Sequence, residues 1–245
     1  IVEILVTLYF HEMRVNPAEP RWADRDRFVL SKGHGALGYY AVLSRCGFFP
    51  RDELFTFESL GSRLQGHPDT RLTPGVELST GSLGQGLSAS VGMAIGARMR
   101  QQSLRSYCLL GDGETEEGNV WEAAMSAAKF RLDNLLAIVD WNGLQGGVTL
   151  TVMPSLEPYA DKWRAFGWHV IDIPGHDIPA LLQAYQEARS TTGQPTVIIA
   201  RTVKGKGVSF MENQVDWHAK LLAGAELEQA RHEIAERLQT FADKG

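Results

Sequence analysis

The sequence predicts an α/β fold, a parallel sheet with helices on both faces. Three observations carry this. Short, wholly apolar runs such as Tyr107-Cys108-Leu109-Leu110 and Leu135-Leu136-Ala137-Ile138-Val139 read as strands buried on both sides. These runs alternate with stretches of helical period, the order of βαβ units. Two of them stop abruptly, at Gly111-Asp112-Gly113 and at Asp140-Trp141-Asn142-Gly143, as buried strands do when they open into tight loops.

The elements follow in order. Ile1-Val2-Glu3-Ile4-Leu5-Val6-Thr7-Leu8 begins a helix that ends before the turn-rich Asn16-Pro17-Ala18-Glu19-Pro20. It lacks the basic lead and small-residue cleavage site of a signal peptide, and, starting without Met, it reads as a core helix with residues preceding it. A short strand is expected at 26–30, then the glycine-rich 31–38 and a helix to about residue 45. Residues 48–80 are irregular, with a turn at Pro74-Gly75. A helix of small residues spans 83–99; Gly84, Gly86, Gly92 and Gly96 would each cost about 1 kcal/mol relative to Ala if exposed. Their use predicts close backbone packing or a helix start that touches a ligand. Strand 105–110, helix 117–130, strand 134–139, helix 155–165, strand 168–173, helix 178–190 and strand 195–201 complete the alternation. Ile178, Leu181, Leu182, Tyr185 and Ala188 keep the 3.6-residue period, with Asp177 as N-cap. Leu227, Ile234, Leu238 and Phe241 mark a last amphipathic helix.

Composition narrows the function. With 245 residues, 44% of them hydrophobic, the chain can bury a full core, and 1–245 is expected to form a single domain with loop elaborations. A net charge of −5 gives no electrostatic case for nucleic acid or an anionic membrane. No apolar run approaches the roughly 18 residues of a membrane helix. Cys46 and Cys108 lie in apolar segments and are expected as buried thiols rather than a disulfide. A cytoplasmic enzyme fits this composition.

The strand ends carry the chemistry. Two neighbouring parallel strands ending at Asp112 and Asn142 would present a carboxylate and an amide from one sheet edge, where open α/β sheets bind ligands. Mg²⁺ takes a few oxygen ligands from protein and the rest from phosphate and water. Asp112, Asn142 and one nearby backbone carbonyl would leave room for two phosphate oxygens. Gly, Asp and Asn are also ordinary turn residues, and Gly-Asp-Gly alone would be read so. The spaced Asn on a second strand turns the reading toward a metal site.

That spacing resembles the metal-diphosphate motif of thiamine diphosphate enzymes, and further segments resemble the transketolases. They are Ser31-Lys32-Gly33-His34-Gly35, Gly66-His67-Pro68-Asp69, Thr80-Gly81-Ser82-Leu83-Gly84-Gln85-Gly86, Trp121-Glu122-Ala123, and Val203-Lys204-Gly205-Lys206-Gly207 followed by His218. Their order is the transketolase order, and the length is similar to the separately encoded N-terminal subunit of split transketolases.

The resemblance implies a thiamine diphosphate-binding fold and transfer of a two-carbon ketol unit between sugar phosphates. The implied partner is a separate C-terminal, pyrimidine-binding subunit, in an α2β2 heterotetramer. It implies Mg²⁺ (or Ca²⁺) on Asp112, Asn142 and the Leu144 main-chain oxygen. It implies cofactor contacts from His34, Gly81, Ser82, Leu83, Gly111, Asp112, Gly113, Glu114, Asn142 and His218. His34, His67 and His218 are the implied substrate and proton-handling histidines, and Glu117 the acid that links paired active sites. The carboxylates of Glu114 and Glu116 are expected as solvated acids at a helix start, a favourable place for them. His176 is expected to be structural, and His11, His169 and His232 have no special context.

The chain departs from the family's pattern in places. Ala219 follows His218 where the family usually has Gly. Gly143-Leu144-Gln145-Gly146-Gly147-Val148-Thr149 lacks an acid that the family often carries. No residue here matches the glutamate that activates the aminopyrimidine; in the family it lies on the pyrimidine-binding domain. Three alternatives stand beside the reading: a deoxyxylulose-phosphate synthase, a different ketol transfer in specialised metabolism, and a non-catalytic homologue serving as structural partner.

Overall fold

The computed structural model describes residues 1–146, 148–149, 156–218 and 220–242, with 148–149 and 241–242 described by backbone alone. Five strands form one parallel sheet: β1 (Arg27–Leu30), β2 (Ser106–Gly111), β3 (Leu135–Trp141), β6 (His169–Pro174) and β7 (Thr196–Arg201), in the order β1-β2-β3-β7-β6. Register brings Gly111 beside Asp140 and Trp141 beside Arg201. The two remaining strands, β4 (Leu144–Gln145) and β5 (Val148–Thr149), make a small antiparallel hairpin where the sequence predicts only a loop.

Alternation along the strands sorts the core into two layers. Phe28, Leu30, Tyr107, Leu109, Leu136, Ile138 and Ile198 face one side, under α1 (Val2–Thr7), α2 (Ala36–Cys46) and α6 (Ile178–Ser190). Val29, Cys108, Leu110, Ala137, Val139, Val197 and Ile199 face the other, under α3 (Gln85–Met99), α4 (Gly118–Lys129) and α5 (Tyr159–Ala165). Both faces are covered, so the central strands β2, β3 and β7 carry continuous apolar runs without a polar alternation, whereas the edge strand β6 keeps an exposed Asp172. Because the chain leaves β1 toward α2 on one face and β2 toward α4 on the other, a crevice opens between their carboxyl ends.

Several expectations need adjusting. The first helix continues past Thr7 as wider turns over Leu8–Glu12, closed by the Met13 amide on the Leu8 carbonyl at 2.8 Å. The helix expected over 117–130 is preceded by a separate short turn of helix, Gly113–Glu116. The small-residue helix begins at Gln85, and of its glycines Gly86 is pressed on Ser31, whereas Gly92 and Gly96 face open space. Asp177 caps α6 through the Ala180 amide at 3.2 Å, but Ile178 points outward. In the last helix, α7 (Gly224–Ala242), Ile234 and Leu238 are exposed while Ala230 is buried. The helix start expected at 155, Ala219 and the side chain of Phe241 lie outside the described residues. Cys46 is half-buried and Cys108 buried, and both are free thiols. Among the described residues no helix is long and apolar enough to cross a membrane.

Candidate active site

The carboxyl ends of β1, β2, β3 and β7 border a cleft of about 390 Å³ lined by fifteen residues, Asp112, Asn142 and Leu144 among them. Asp112 follows the last residue of β2 and is buried. Its Oδ1 accepts the Gly113 amide at 2.8 Å, and its Oδ2 accepts the amides of Asn142 (2.8 Å) and Gly143 (2.7 Å). One carboxylate thus ties the end of β2 to the exit of β3. Burial raises its pKa, and those amides and the Lys32 charge oppose the rise. The Asn142 side-chain oxygen accepts the Leu144 amide at 3.1 Å, which fixes the turn that carries the Leu144 carbonyl.

Glu114 corrects the expectation of a solvated acid. It is only 3% exposed, and its carboxylate accepts the Ser31 hydroxyl, the Gly84 amide at 2.7 Å and the Gly111 amide at 3.0 Å. It braces three loops, those after β1, before α3 and at the end of β2. Burial raises its pKa against those bonds. Glu116 is not free either: it accepts the Gln145 side-chain amide at 2.7 Å, drawing the β4–β5 hairpin toward the cleft. Glu117, by contrast, is exposed at the cleft wall.

Four nitrogen groups, Lys32, His34, Lys204 and His218, border the same cleft. The imidazoles of His34 and His218 stand with ring centroids 5.3 Å apart, and Lys204 Nζ lies 2.9 Å from His218 Nδ1. An ammonium only donates, so Nδ1 accepts and the His218 proton sits on Nε2. Burial, then the charges of Lys32, His218 and Lys204, push the His34 pKa down to about 4. Burial and the two lysines lower His218 as well. Lys32 Nζ meets Asp140 Oδ2 at 2.7 Å, both residues buried. Burial works against both charges, yet each holds its partner ionised: Lys32 is shifted up and Asp140 well below the usual carboxylate range.

The structure brings together most of the residues singled out by sequence: His34, Leu83, Gly111, Asp112, Gly113, Glu114, Glu117, Asn142, Leu144 and His218 all border the cleft. His67 does not. It is exposed beside it, its ring against Gly81, where a β-carbon would lie 3.2 Å from the imidazole. Gly81 has φ +146°, and its amide lies 2.8 Å from where a β-carbon on Gly33 would be, so Gly81 and Gly33 approach as only glycines can. Ser82 is exposed next to Leu83. His176 is structural as expected, bonded to Glu3 at 2.9 Å and to the Val203 amide at 2.8 Å. Lys32, Asp140 and Lys204 receive no role from sequence reasoning. The signal that could have found Asp140 is a charged residue directly after the buried apolar run Leu135-Leu136-Ala137-Ile138-Val139; Lys32 and Lys204 carry no such signal.

Hard oxygen donors and four nitrogen groups around one cleft suit a divalent cation carried by an anionic, phosphate-bearing ligand. Residues 1–242 match the family model of the transketolase thiamine diphosphate binding domain. The chain belongs to the transketolase family. Relatives include a 6-deoxy-6-sulfo-D-fructose transketolase subunit of Clostridium sp. strain MSTE9, 47% identical over 89% of this chain and 79% of that protein. An apulose-4-phosphate transketolase subunit of Actinobacillus succinogenes is 44% identical over 95% of this chain and 84% of that protein. Human transketolase is 43% identical over 97% of this chain but only 38% of its own length. The structure of transketolase from Leishmania mexicana superposes with a TM-score of 0.88 at 32% identity, covering 95% of this chain and 36% of that one. This transketolase domain therefore spans little more than a third of those two longer relatives, and most of the two relatives named as subunits.

Proposed function

We propose that this chain is the diphosphate-binding subunit of a two-chain cytoplasmic transketolase. Its partner is a separate pyrimidine-binding subunit, two copies of each chain making the enzyme. Together they move a two-carbon ketol unit from a ketose donor to an aldose acceptor, both sugar phosphates or similar anionic sugars. The observation that carries this is the cleft itself, bordered by Asp112 and Asn142 together with Lys204, His34 and His218. The coverage supports the split: the chain matches most of proteins named as transketolase subunits.

Asp112, Asn142 and the Leu144 carbonyl would hold Mg²⁺ (or Ca²⁺), three oxygen ligands of the type such ions take. Gly111, Gly113 and His218 would border the diphosphate, with Glu114 bracing that floor and Gly81, Ser82 and Leu83 flanking the rings. Bound thiamine diphosphate supplies the carbanion chemistry of the transfer. The chain's own part is to orient, exclude water and handle protons. His34 and His218, neutral at pH 7, can each donate at one nitrogen and accept at the other, so they can hold a developing alkoxide and return a proton. His67, exposed outside the cleft, would meet the donor sugar's hydroxyl end. Glu117, exposed at the wall, would reach a second copy of the enzyme.

The names of two relatives, for 6-deoxy-6-sulfo-D-fructose and apulose-4-phosphate, favour a specialised anionic ketose as donor. Reconstitution tests the reading. The chain alone should give no ketol transfer, and mixing with the pyrimidine-binding subunit should give it; turnover by this chain unaided contradicts the split site.

A further inference from the structure

In the pair Lys32–Asp140, Lys32 borders the cleft and Asp140 stands behind it, and the transfer chemistry above gives Asp140 no role. Asp140 is the penultimate residue of β3 and is 5% exposed; Lys32 follows β1 and is 8% exposed. Asp140 Oδ2 accepts Lys32 Nζ at 2.7 Å and, weakly, the Asn142 side-chain amide at 3.5 Å, while Oδ1 accepts the Thr202 hydroxyl at 2.5 Å. The carboxylate therefore joins the ends of β1, β3 and β7. A buried ion pair brings little net stability, and apolar replacements of both partners are often neutral or better. Stability is thus a poor reason for the pair, while its position is informative. Lys32 Nζ lies 3.8 Å from where a β-carbon on Gly111 would stand, at the end of β2 in the cleft floor. With its NH₂ drawn toward Asp140, the Asn142 amide turns its oxygen away, toward the Leu144 amide at 3.1 Å.

We propose that Asp140 is a positioning residue of the cleft. It pins the Lys32 ammonium in the floor and sets the direction of the Asn142 side chain at the rim, so that one carboxylate places a cation and an oxygen donor for the same ligand. Asp140 touches neither cofactor nor substrate and acts through its two neighbours. The proposal rests on reading the cleft as the metal-diphosphate site.

The test uses this chain assembled with its pyrimidine-binding partner and measures thiamine diphosphate binding with Mg²⁺ by calorimetry. Asp140→Asn keeps the shape and removes the charge; Lys32→Met/Asp140→Leu removes the pair as a unit and should fold. Both are expected to weaken binding about 10- to 100-fold, the usual cost of losing a residue that orients a metal ligand. The cofactor KM should rise, with kcat at saturating cofactor far less affected, a split that a general loss of folded protein would not give. If Asp140→Asn fails to fold, the double variant and Thr202→Val still decide, the latter with binding weakened severalfold. Cofactor bound by a folded double variant as tightly as by the unaltered chain overturns the proposal. Asp112→Ala separates the two levels: if it too binds normally, the reading of the cleft fails; if it alone loses binding, only the role of Asp140 fails.

Discussion

The rings of His34 and His218 come from opposite ends of the chain, yet their centroids stand 5.3 Å apart at an interplanar angle of 43°. Burial, and then the charges of Lys32 and Lys204 nearby, disfavour a positive charge on either imidazole. The pair is therefore neutral where the enzyme would work, and neutral imidazoles can both give and take a proton.

A titration follows from this. The pKa of His34 is lowered to about 4 from an ordinary 6.5. The folded chain then binds fewer protons on this ring than the unfolded chain between those values, so stability should fall as pH drops from 6.5 toward 4 and be unaffected by His34 above that window. Histidine NMR should show the His34 ring unprotonated down to about pH 5. A midpoint near 6.5 would mean that the cleft tolerates the imidazolium.

Asp112 can be altered in two ways with different outcomes. Asp112→Ala leaves the amides of Gly113, Asn142 and Gly143 without their acceptor, at about 1–3 kcal/mol for each one left dry. Asp112→Asn keeps an acceptor and removes the charge. Urea denaturation should show the Ala variant clearly less stable than the Asn variant, while calorimetry should find metal-dependent cofactor binding lost in both.

Glu114 is expected to act on stability. Glu114→Ala strands the Ser31 hydroxyl and the Gly84 and Gly111 amides, for a loss of about 3 kcal/mol or more. Glu114→Gln retains one oxygen acceptor and should lose less. Equal denaturation midpoints for the unaltered chain and the Ala variant would show that the brace is dispensable.

His67 should separate substrate from cofactor. Because it stands outside the cleft against Gly81, His67→Ala should raise the donor KM by about tenfold and leave cofactor affinity unchanged, whereas His34→Ala should affect both. Steady-state kinetics in the reconstituted enzyme, varied in donor and in cofactor, check this.

The alternation of buried strands and helical stretches is legible in the sequence because both faces of the sheet are covered, so the central strands announce themselves as apolar runs. Asp112 and Asn142 are legible for a related reason: each stands just past the strand that such a run begins, and strand order then makes them neighbours. Glu114 misleads because a cluster of acids looks solvated. Only the short turn Gly113–Glu116, folded back onto the sheet edge, shows its carboxylate turned inward. The Lys32–Asp140 pair cannot be read, since its members sit 108 residues apart and meet only when β1 and β3 flank β2. The glycines of α3 show the opposite error. Their sequence predicts close packing or a helix start that touches a ligand; Gly84, against Asn119 and Glu117, and Gly86, against Ser31, are closely packed, and Gly92 and Gly96 are not.

The central claim is that a metal-diphosphate site on this chain is completed by another. Calorimetric titration of thiamine diphosphate with Mg²⁺ into this chain, alone and mixed with the pyrimidine-binding subunit, tests it most directly. Tight binding only in the mixture, lost in Asp112→Ala, is the predicted result. No binding in either state would contradict it and leave the cleft as the remnant of a non-catalytic homologue.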